Sequence, residues 1–352
     1  MRLAYGLHSR GHHVEIWSYG RASDLDESLR REGIIVRNGS RRSVLAKVIT
    51  VRRWMNDFPP DVVHAFMKRA STLVALARLG RPRAAFIGSD LSTATYGRRK
   101  PSLWISLLFF RFADVIATQT ELNRCSLETL APWLRGRTRV VRNGLDMERF
   151  QPASGRANDG TFRFCAVGTV YGVKNPVGVV RAVAELRRRG IESVRVDWYG
   201  RLGLKGDAEP SAEYHGAKRE AKALGASESV IFHGETANVA EVYRSADALV
   251  HASVQEGFPN AVVEAMACGL PVVVSRVSDL PLVVQEARNG FVFDETDPVA
   301  IADAMQQMME TPAEERVAMG ARSRELAVRW FGLERFVHEY EQLYRELLAR
   351  RA

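Results

Sequence analysis

The sequence predicts an α/β protein built from two doubly wound domains. Short apolar runs that resemble strands alternate with longer helical stretches along most of the chain, a pattern typical of parallel sheets with helices on both faces. The chain has 352 residues, which suits two domains of ordinary size, each able to bury a core of its own. We therefore expect one parallel sheet in each half.

Five strands are expected in the first half. Each is a short run rich in Val, Ile, Phe and Ala, bounded by polar or turn-forming residues. The runs cover residues 13–17, 61–66, 84–87, 114–117 and 139–141. Because helical stretches separate them, we expect the strands to lie parallel in one doubly wound sheet.

The second half repeats the pattern after a junction near residues 143–160. Pro152–Gly160 in this junction has the composition of a linker. Strands are expected at residues 162–167, 194–199, 230–232, 248–253 and 272–275, and a last amphipathic helix at about 333–350. Two such sheets facing across a cleft would place a ligand at the carboxyl ends of their strands.

The composition is that of a soluble globular protein, with 46% hydrophobic and 26% charged residues. The three cysteines, Cys125, Cys165 and Cys268, match no zinc or CxxC spacing and stand beside apolar residues. We expect them to be reduced core residues of a cytosolic protein. No secretory signal is visible, and the longest apolar run is too short to cross a bilayer.

Charge is distributed unevenly along the chain. Residues 1–150 contain 26 Lys and Arg against 13 Asp and Glu, a net of +13, whereas the remainder contains 24 against 28, a net of −4. A basic N-terminal half implies an anionic partner on that side, either a membrane surface or a phosphorylated acceptor. Nucleic acid is the rival partner, but the basic residues form no recognisable nucleic-acid-binding motif, so we expect none.

The segment Trp104–Phe112 is apolar on more than one face of a helix and follows the basic residues Arg98-Arg-Lys100. Such a helix could dock on a membrane. An all-round apolar helix better suits a protein core, however. We expect a core helix, with the basic residues before it touching lipid head groups.

Two carboxylates, Glu256 and Glu264, stand at the two ends of a loop-to-helix turn in an apolar setting. Pro259 suits the first turn of a helix and Gly269 the residue after its end, which predicts a helix over about 260–268. Free N–H groups and the positive end of the helix dipole would keep Glu256 ionised. Glu256 alone would suit a solvated cap. Glu264 lies among Ala and Val, where an unpaired carboxylate is costly, so it needs a ligand or a structural partner such as an Arg.

These two residues resemble the Glu-x7-Glu signature of retaining GT-B-fold glycosyltransferases of family 4, also called glycosyl transferases group 1. The resemblance covers nearly the whole chain. Further matches are Asn143-Gly-Leu-Asp146 with Phe150 and Pro152, Phe164-Cys-Ala-Val-Gly168 through Lys174-Asn175, and Asn289-Gly-Phe-Val-Phe293 with Asp297-Pro298. It implies two Rossmann-like domains, at 1–143 and 144–336, with a C-terminal helix of about 337–352 packing back on the first.

The resemblance implies transfer of a sugar, with retention, from a UDP- or GDP-sugar to a lipid-linked or cell-envelope glycan. It implies no metal ion or other cofactor. We expect a cytoplasmic protein, peripheral at the inner face of the membrane, whose basic N-terminal domain meets the acceptor. A catalytically inactive or N-terminally truncated glycosyltransferase-like protein is the alternative. An epimerase or phosphorylase of the same fold would need a catalytic carboxylate set or a cofactor lysine, which the sequence does not show.

By resemblance, Lys174 and the helix N-terminus at 258–261 meet the charge of the leaving diphosphate. Glu256 holds the donor-sugar hydroxyls and Glu264 the ribose hydroxyls, so Lys174 and Glu256 are the expected catalytic residues. The implied donor site comprises Gly168, Thr169, Lys174, Glu256, Gly257, Phe258, Pro259, Asn260 and Glu264. The base is expected near Tyr199, Arg201, Gly234 and Glu235.

Two internal positions depart from the family pattern. Thr169 stands where the family usually carries Arg, and Gly88-Ser-Asp-Leu91 where many members carry a histidine after the fourth strand. Neither His64 nor His251 is expected to replace that histidine, because lone histidines at strand ends are more often core residues.

The N-terminus departs as well. Met1–His12 resembles the end of the family's first helix, and the usual first strand and glycine-rich loop do not precede it. That strand is central in a doubly wound sheet, so its loss would leave two neighbours without a hydrogen-bonding partner. We expect a misassigned start or a fragment, with a divergent but complete enzyme as the alternative.

Overall fold

The structure, a computed structural model, describes residues 1–19, 24–39, 43–79, 84–91, 101–152, 159–204, 206 and 209–351. The chain forms two compact units. One comprises Met1–Gly144 with Gly332–Ala352, and the other Leu145–Phe331. Most of the expected linker and the basic residues Arg98-Arg-Lys100 lie outside the described residues.

The strands of the first unit are all parallel and form two hydrogen-bonded groups. A pair consists of β1 (Glu15–Ser18) and β2 (Ile35–Asn38), and a four-stranded sheet has the order β3 (Val62–Ala65), β4 (Ala85–Asp90), β5 (Val115–Thr118), β6 (Thr138–Val140). The five expected strands are all present. β2 was not predicted, because its four residues include only two apolar ones. The expected single sheet is divided between β1 and β3, which have no ladder in common among the described residues.

The helices before and between these strands are α1 (Arg2–Ser9), α2 (Asp24–Arg31), α3 (Val44–Asp57), α4 (Lys68–Arg78), α5 (Pro101–Phe110) and α6 (Glu121–Leu130). Val51 of α3, Val74 of α4 and Leu107 of α5 pack with Phe86 of β4 in one core. β4 is buried along its whole length, which is typical of a central parallel strand covered on both faces.

The prediction that α5 is a core helix is right for one of its faces only. Leu103, Leu107 and Phe110 are buried. Four large apolar side chains on and after the helix remain 45–52% exposed: Trp104, Ile105, Leu108 and Phe112. This helix therefore presents an unusually apolar surface to solvent.

The second unit contains a six-stranded parallel sheet. Its order is β12 (Gly290–Phe293), β11 (Val272–Ser275), β10 (Ala248–His251), β7 (Phe162–Val167), β8 (Val194–Tyr199), β9 (Val230–Gly234). The five expected strands are confirmed, and β12 is an additional one. The helices are α7 (Pro176–Arg188), α8 (Ala212–Ala223), α9 (Val239–Arg244), α10 (Asn260–Ala267), α11 (Leu280–Ala287), α12 (Pro298–Glu310) and α13 (Ala313–Phe331).

Helices cover the two faces of this sheet and close two cores. One core contains side chains of α7, α8 and α12, and the other contains side chains of α9, α10, α11 and α13. Cys165 and Cys268 are buried in the second core as expected. Cys125 is exposed on α6, so the prediction of a core position is wrong for this cysteine.

The last helix, α14 (Leu333–Ala349), agrees with the expected amphipathic helix and belongs to the first unit. Its buried face packs with Leu3 and Leu7 of α1. The helices approach closely at Gly6, where a Cβ would lie 2.3 Å from a methyl group of Val337. No helix in the described ranges is long and apolar enough to span a bilayer.

Candidate functional site

The sheet of the second unit reverses its direction of growth between β7 and β10. From β7 the chain adds β8 and β9 on one side, and then returns to place β10 on the other side. In open α/β sheets, ligands bind outside the carboxyl ends of the strands at such a switch point. The segments that leave the sheet there are residues 168–175 after β7 and residues 252–260 after β10.

Two glycines allow the backbone to turn closely at this edge. Gly168, directly after β7, has φ +152°, and Gly200, directly after β8, has φ +145°. A Cβ on Gly200 would lie 2.2 Å from the Gly168 carbonyl oxygen, and a Cβ on Gly168 would lie 3.1 Å from Cε of Lys174. A side chain at either position would separate the loops or displace the lysine.

Lys174 ends a short 3-10 turn, Gly172–Lys174, that leads into α7. The next residue, Asn175, adopts a left-handed conformation with φ 54°, and its Oδ1 caps α7 by accepting from the Gly178 N–H at 3.0 Å. The Val254 N–H donates to the Val173 carbonyl at 2.9 Å. This bond ties the turn that carries Lys174 to the loop after β10.

Lys174 and Glu256 form a direct ion pair. Nζ of Lys174 lies 2.5 Å from Oε1 of Glu256, and only 22% and 15% of the two side chains are exposed. The same carboxylate oxygen lies 3.3 Å from Nε2 of His251, the last residue of β10. A second bond of 3.1 Å joins that nitrogen to the Ser253 hydroxyl. The edge therefore carries a cation, an anion and an imidazole in contact.

The surroundings keep Glu256 ionised. Burial by itself would raise the pKa of this carboxyl group, but the hydrogen bond from His251 and the charge of Lys174 outweigh it and lower the pKa to about 2. Burial lowers the pKa of His251, so its ring is neutral near pH 7. The sequence indicated an ionised Glu256, but it attributed this to the helix terminus rather than to two side chains.

Glu264 lies one turn into α10, half-buried, and Tyr243 of α9 is its partner. The Tyr243 hydroxyl donates to Oε2 of Glu264 at 2.9 Å, and the tyrosine is fully buried. Tyr243 is therefore one structural partner of Glu264, where the sequence led us to expect a ligand or a partner such as an arginine.

The residues between the two glutamates shape the start of α10. Gly257 accepts a hydrogen bond through its carbonyl from the Ser278 hydroxyl, and the Phe258 ring stacks on Phe331 with centroids 5.2 Å apart. Pro259 is the N-cap, and Asn260 begins the helix with an exposed side chain. These contacts hold the short segment that joins Glu256 to α10.

The four residues expected near a base lie at the carboxyl ends of β8 and β9. Tyr199 stacks on His233 with centroids 4.4 Å apart and planes 8° apart. Gly234 has φ +81° at the end of β9. Arg201 pairs with Glu235 at 3.5 Å, and both are well exposed.

Thr169 lies beside this group, because the N–H of the following residue, Val170, donates to the Arg201 carbonyl at 2.7 Å. The backbone of Arg201 therefore lies next to Thr169, the position at which the family usually carries an arginine.

The structure brings Lys174 and Glu256 into contact, and it adds two residues that sequence reasoning missed. His251 was expected to be a core residue; it is buried, yet it contacts Glu256. The sequence around Tyr243 did not indicate a contact with Glu264, because a tyrosine in a short apolar helix is just as consistent with simple packing. His64 is half-buried in the first unit, between the Ser89 and Tyr344 hydroxyls, and its desolvation there lowers its pKa to about 3. The described residues contain no group of three or more His, Cys, Asp or Glu side chains arranged to hold a metal ion.

Comparison with known proteins agrees with this organisation. Residues 147–326 match the family described as Glycosyl transferases group 1, and residues 1–149 match Glycosyltransferase Family 4. A D-inositol 3-phosphate glycosyltransferase of Corynebacterium urealyticum is 29% identical over 67% of this chain and 57% of its own length. An N-acetyl-alpha-D-glucosaminyl L-malate synthase of Bacillus anthracis is 34% identical over 36% of this chain and 33% of its own length. The chain thus spans between a third and about three fifths of these relatives.

Solved structures confirm the fold. Anabaena HepE in complex with UDP superimposes with a TM-score of 0.83 at 17% identity, covering 98% of this chain and 94% of its own. Sucrose-phosphate synthase from Thermosynechococcus elongatus gives 0.80 at 20% identity, covering 99% and 92%. The expected GT-B class with two Rossmann-like domains is therefore correct. Since one family description covers residues 147–326, half of the chain, and a related one covers residues 1–149, the protein belongs to the glycosyl transferases group 1, family 4.

Proposed function

We propose that the protein is a retaining glycosyltransferase that moves a sugar from a nucleotide-diphospho-sugar to an acceptor. One observation carries the proposal: Lys174 and Glu256 are paired at the switch point of the second unit's sheet, beside the N-terminus of α10. A diphosphate needs positive charge, and a sugar needs hydrogen-bond acceptors for its hydroxyls. The pair supplies both at the edge where ligands of such sheets bind.

The chemistry is the exchange of one anomeric C–O bond for another. As the sugar leaves, negative charge grows on the nucleoside diphosphate, and Lys174 with the N–H groups at the start of α10 stabilises it. Glu256 accepts hydrogen bonds from donor-sugar hydroxyls, and Glu264 accepts them from the ribose. The acceptor oxygen attacks on the face that the diphosphate leaves, and its proton passes to a phosphate oxygen of the leaving group. No protein nucleophile and no metal ion is required.

The donor is a UDP- or GDP-sugar in this proposal, and its base lies near Tyr199, Arg201, Gly234 and Glu235. Flat aromatic surface and exposed polar groups adjoin at that position, as base binding requires. HepE, which has the same fold, is described in complex with UDP.

The acceptor is anionic in this proposal, because residues 1–150 carry a net charge of +13. A lipid-linked or cell-envelope glycan fits this charge. A small anionic acceptor is the second candidate, favoured by the relatives whose names refer to inositol 3-phosphate and L-malate.

The protein is proposed to be cytoplasmic and to act at the inner face of the membrane. The exposed apolar face of α5, with Trp104 and Leu108, suits contact with the lipid interface, and the net charge suits anionic head groups. The sequence favoured a core position for α5 with membrane docking as the alternative, and the exposed face supports that alternative.

Incubation with a panel of radiolabelled nucleotide sugars, in a buffer that contains a chelator, tests the proposal. We expect one UDP- or GDP-sugar to be consumed, with transfer or slow hydrolysis and with the anomeric configuration retained. A folded protein that binds none of the nucleotides and consumes none of the sugars would contradict it. Binding without turnover would favour the inactive, glycosyltransferase-like alternative.

A further inference from the structure

His251 occupies a position that calls for a role beyond packing. It is the last residue of β10, is 3% exposed, and directs Nε2 toward Oε1 of Glu256 at 3.3 Å. A histidine that only filled space would have no reason to face a carboxylate, because an apolar side chain avoids the cost of burying a polar ring.

Chemistry fixes which partner donates in this contact. A carboxylate can only accept hydrogen bonds, so a hydrogen bond between these two groups requires a neutral His251 with its hydrogen on Nε2. In that tautomer the Ser253 hydroxyl oxygen, 3.1 Å from the same nitrogen, accepts from the same N–H. His251 is therefore a neutral donor on a strand, and it keeps its position when the Lys174 side chain moves.

Two donors converge on one oxygen of Glu256, and they differ in mobility. Lys174 has a flexible stem, follows a 3-10 turn and lies at 2.5 Å. In the proposed reaction its charge turns toward the diphosphate, which weakens its hold on Glu256. The imidazole remains as the fixed donor to that carboxylate.

We propose that His251 is a positioning residue that holds the Glu256 carboxylate in register with the donor sugar while Lys174 serves the departing diphosphate. The inference rests on the proposed function and deepens it, since it divides the work on Glu256 between two donors. It also predicts that the Lys174 and His251 variants have different effects: loss of Lys174 weakens stabilisation of the diphosphate, and loss of His251 disturbs contact with the sugar.

A matched pair of variants tests this division. The side-chain amide nitrogen of His251→Gln reaches about as far as Nε2, whereas that of His251→Asn falls short, so only the first retains a donor to Glu256. We expect His251→Asn to lower kcat/KM for the donor by about tenfold or more, the effect of losing one hydrogen bond to a charged group, and His251→Gln to recover most of it. Calorimetric affinity for the free nucleoside diphosphate should be unchanged in both variants, and this binding also serves as the folding control.

Equal losses in the two variants, or full activity in a folded His251→Asn protein, would overturn the inference. So would a loss of the same size when His251→Asn is made in a Glu256→Gln background, because the histidine would then act without the carboxylate. If one of the two His251 variants fails to fold, the other is measured both with Glu256 present and in the Glu256→Gln background. Failure of the proposed function is distinct, since the unmodified protein would then consume no nucleotide sugar.

Discussion

The hydroxyl of Tyr243, on α9, donates a hydrogen bond of 2.9 Å to Oε2 of Glu264, on α10. Tyr243 is fully buried, and both burial and the neighbouring Glu264 charge raise its pKa well above the ordinary value, so the phenol remains a donor at any physiological pH. The bond therefore gives one carboxylate oxygen of Glu264 a hydrogen-bond donor within the protein.

The ribose role of Glu264 can be measured without knowledge of the acceptor. Glu264→Ala should weaken binding of the nucleoside diphosphate by about 2 kcal/mol, the effect of removing a hydrogen bond to a charged group. Isothermal titration calorimetry measures it. Unchanged affinity in a well-folded variant would show that the ribose assignment is wrong.

Tyr243→Phe is the matched control for that measurement. It keeps the ring and removes only the hydroxyl, so we expect a smaller loss of affinity, about 1 kcal/mol. In the double variant Tyr243→Phe, Glu264→Ala the tyrosine should add nothing, since its effect passes through the carboxylate. Additive losses would mean that the tyrosine acts on α9 packing instead.

Glu256→Ala should have the opposite signature to Glu264→Ala. Its proposed contacts are with the sugar, so affinity for the nucleoside diphosphate should be nearly unchanged while turnover falls. Side-by-side calorimetry and steady-state kinetics on the two variants separate the roles. A large loss of diphosphate affinity in Glu256→Ala would assign that residue to the nucleotide.

The pKa of Glu256 also predicts how stability depends on pH. In the folded protein this pKa is about 2, below the ordinary value for Glu of about 4.3. The ionised carboxylate therefore stabilises the folded state above about pH 4.3, and this stabilisation is lost as the pH falls toward 2. Urea unfolding of the unmodified protein and of Glu256→Gln between pH 7 and pH 3 tests it. We expect the unmodified protein to lose more stability on acidification, and parallel profiles would contradict the assignment.

The exposed face of α5 predicts binding to anionic membranes. Sedimentation with vesicles rich in acidic phospholipid should show binding that falls steeply as salt is raised through the range of Debye screening. Ile105→Gln with Leu108→Gln should weaken this binding, because both side chains are about half exposed. Val317→Gln, at an exposed apolar position of the second unit, is the control and should bind normally.

Three results would change that interpretation. Binding that resists salt would point to insertion of the apolar face rather than electrostatic docking. Equal binding by the α5 variant would place the docking surface elsewhere. Absence of binding to any vesicle would favour a soluble acceptor.

Sequence patterns predicted the parallel strands of both units well, since buried strands such as Val272–Ser275 contain runs of consecutive β-branched residues, here three valines. They missed Ile35–Asn38, whose pattern is weak, and they could not show that α5 keeps an exposed face. The pairing of Lys174 with Glu256 spans 82 residues of sequence, and the contacts made by His251 and Tyr243 depend on which strand ends and helices become neighbours. Such contacts follow from tertiary packing, which a local pattern does not encode.

Turnover of the Lys174 variants tests the central claim most directly, namely that one lysine neutralises the leaving diphosphate. Lys174→Ala should raise the barrier by roughly 2–4 kcal/mol, on the order of a hundredfold in rate, by analogy with removal of one oxyanion donor. Lys174→Arg should recover part of the rate, because the charge remains while its geometry changes. Rates are measured at saturating donor with a chelator present. Near-normal turnover of Lys174→Ala under these conditions would contradict the account and would assign the diphosphate to another basic residue.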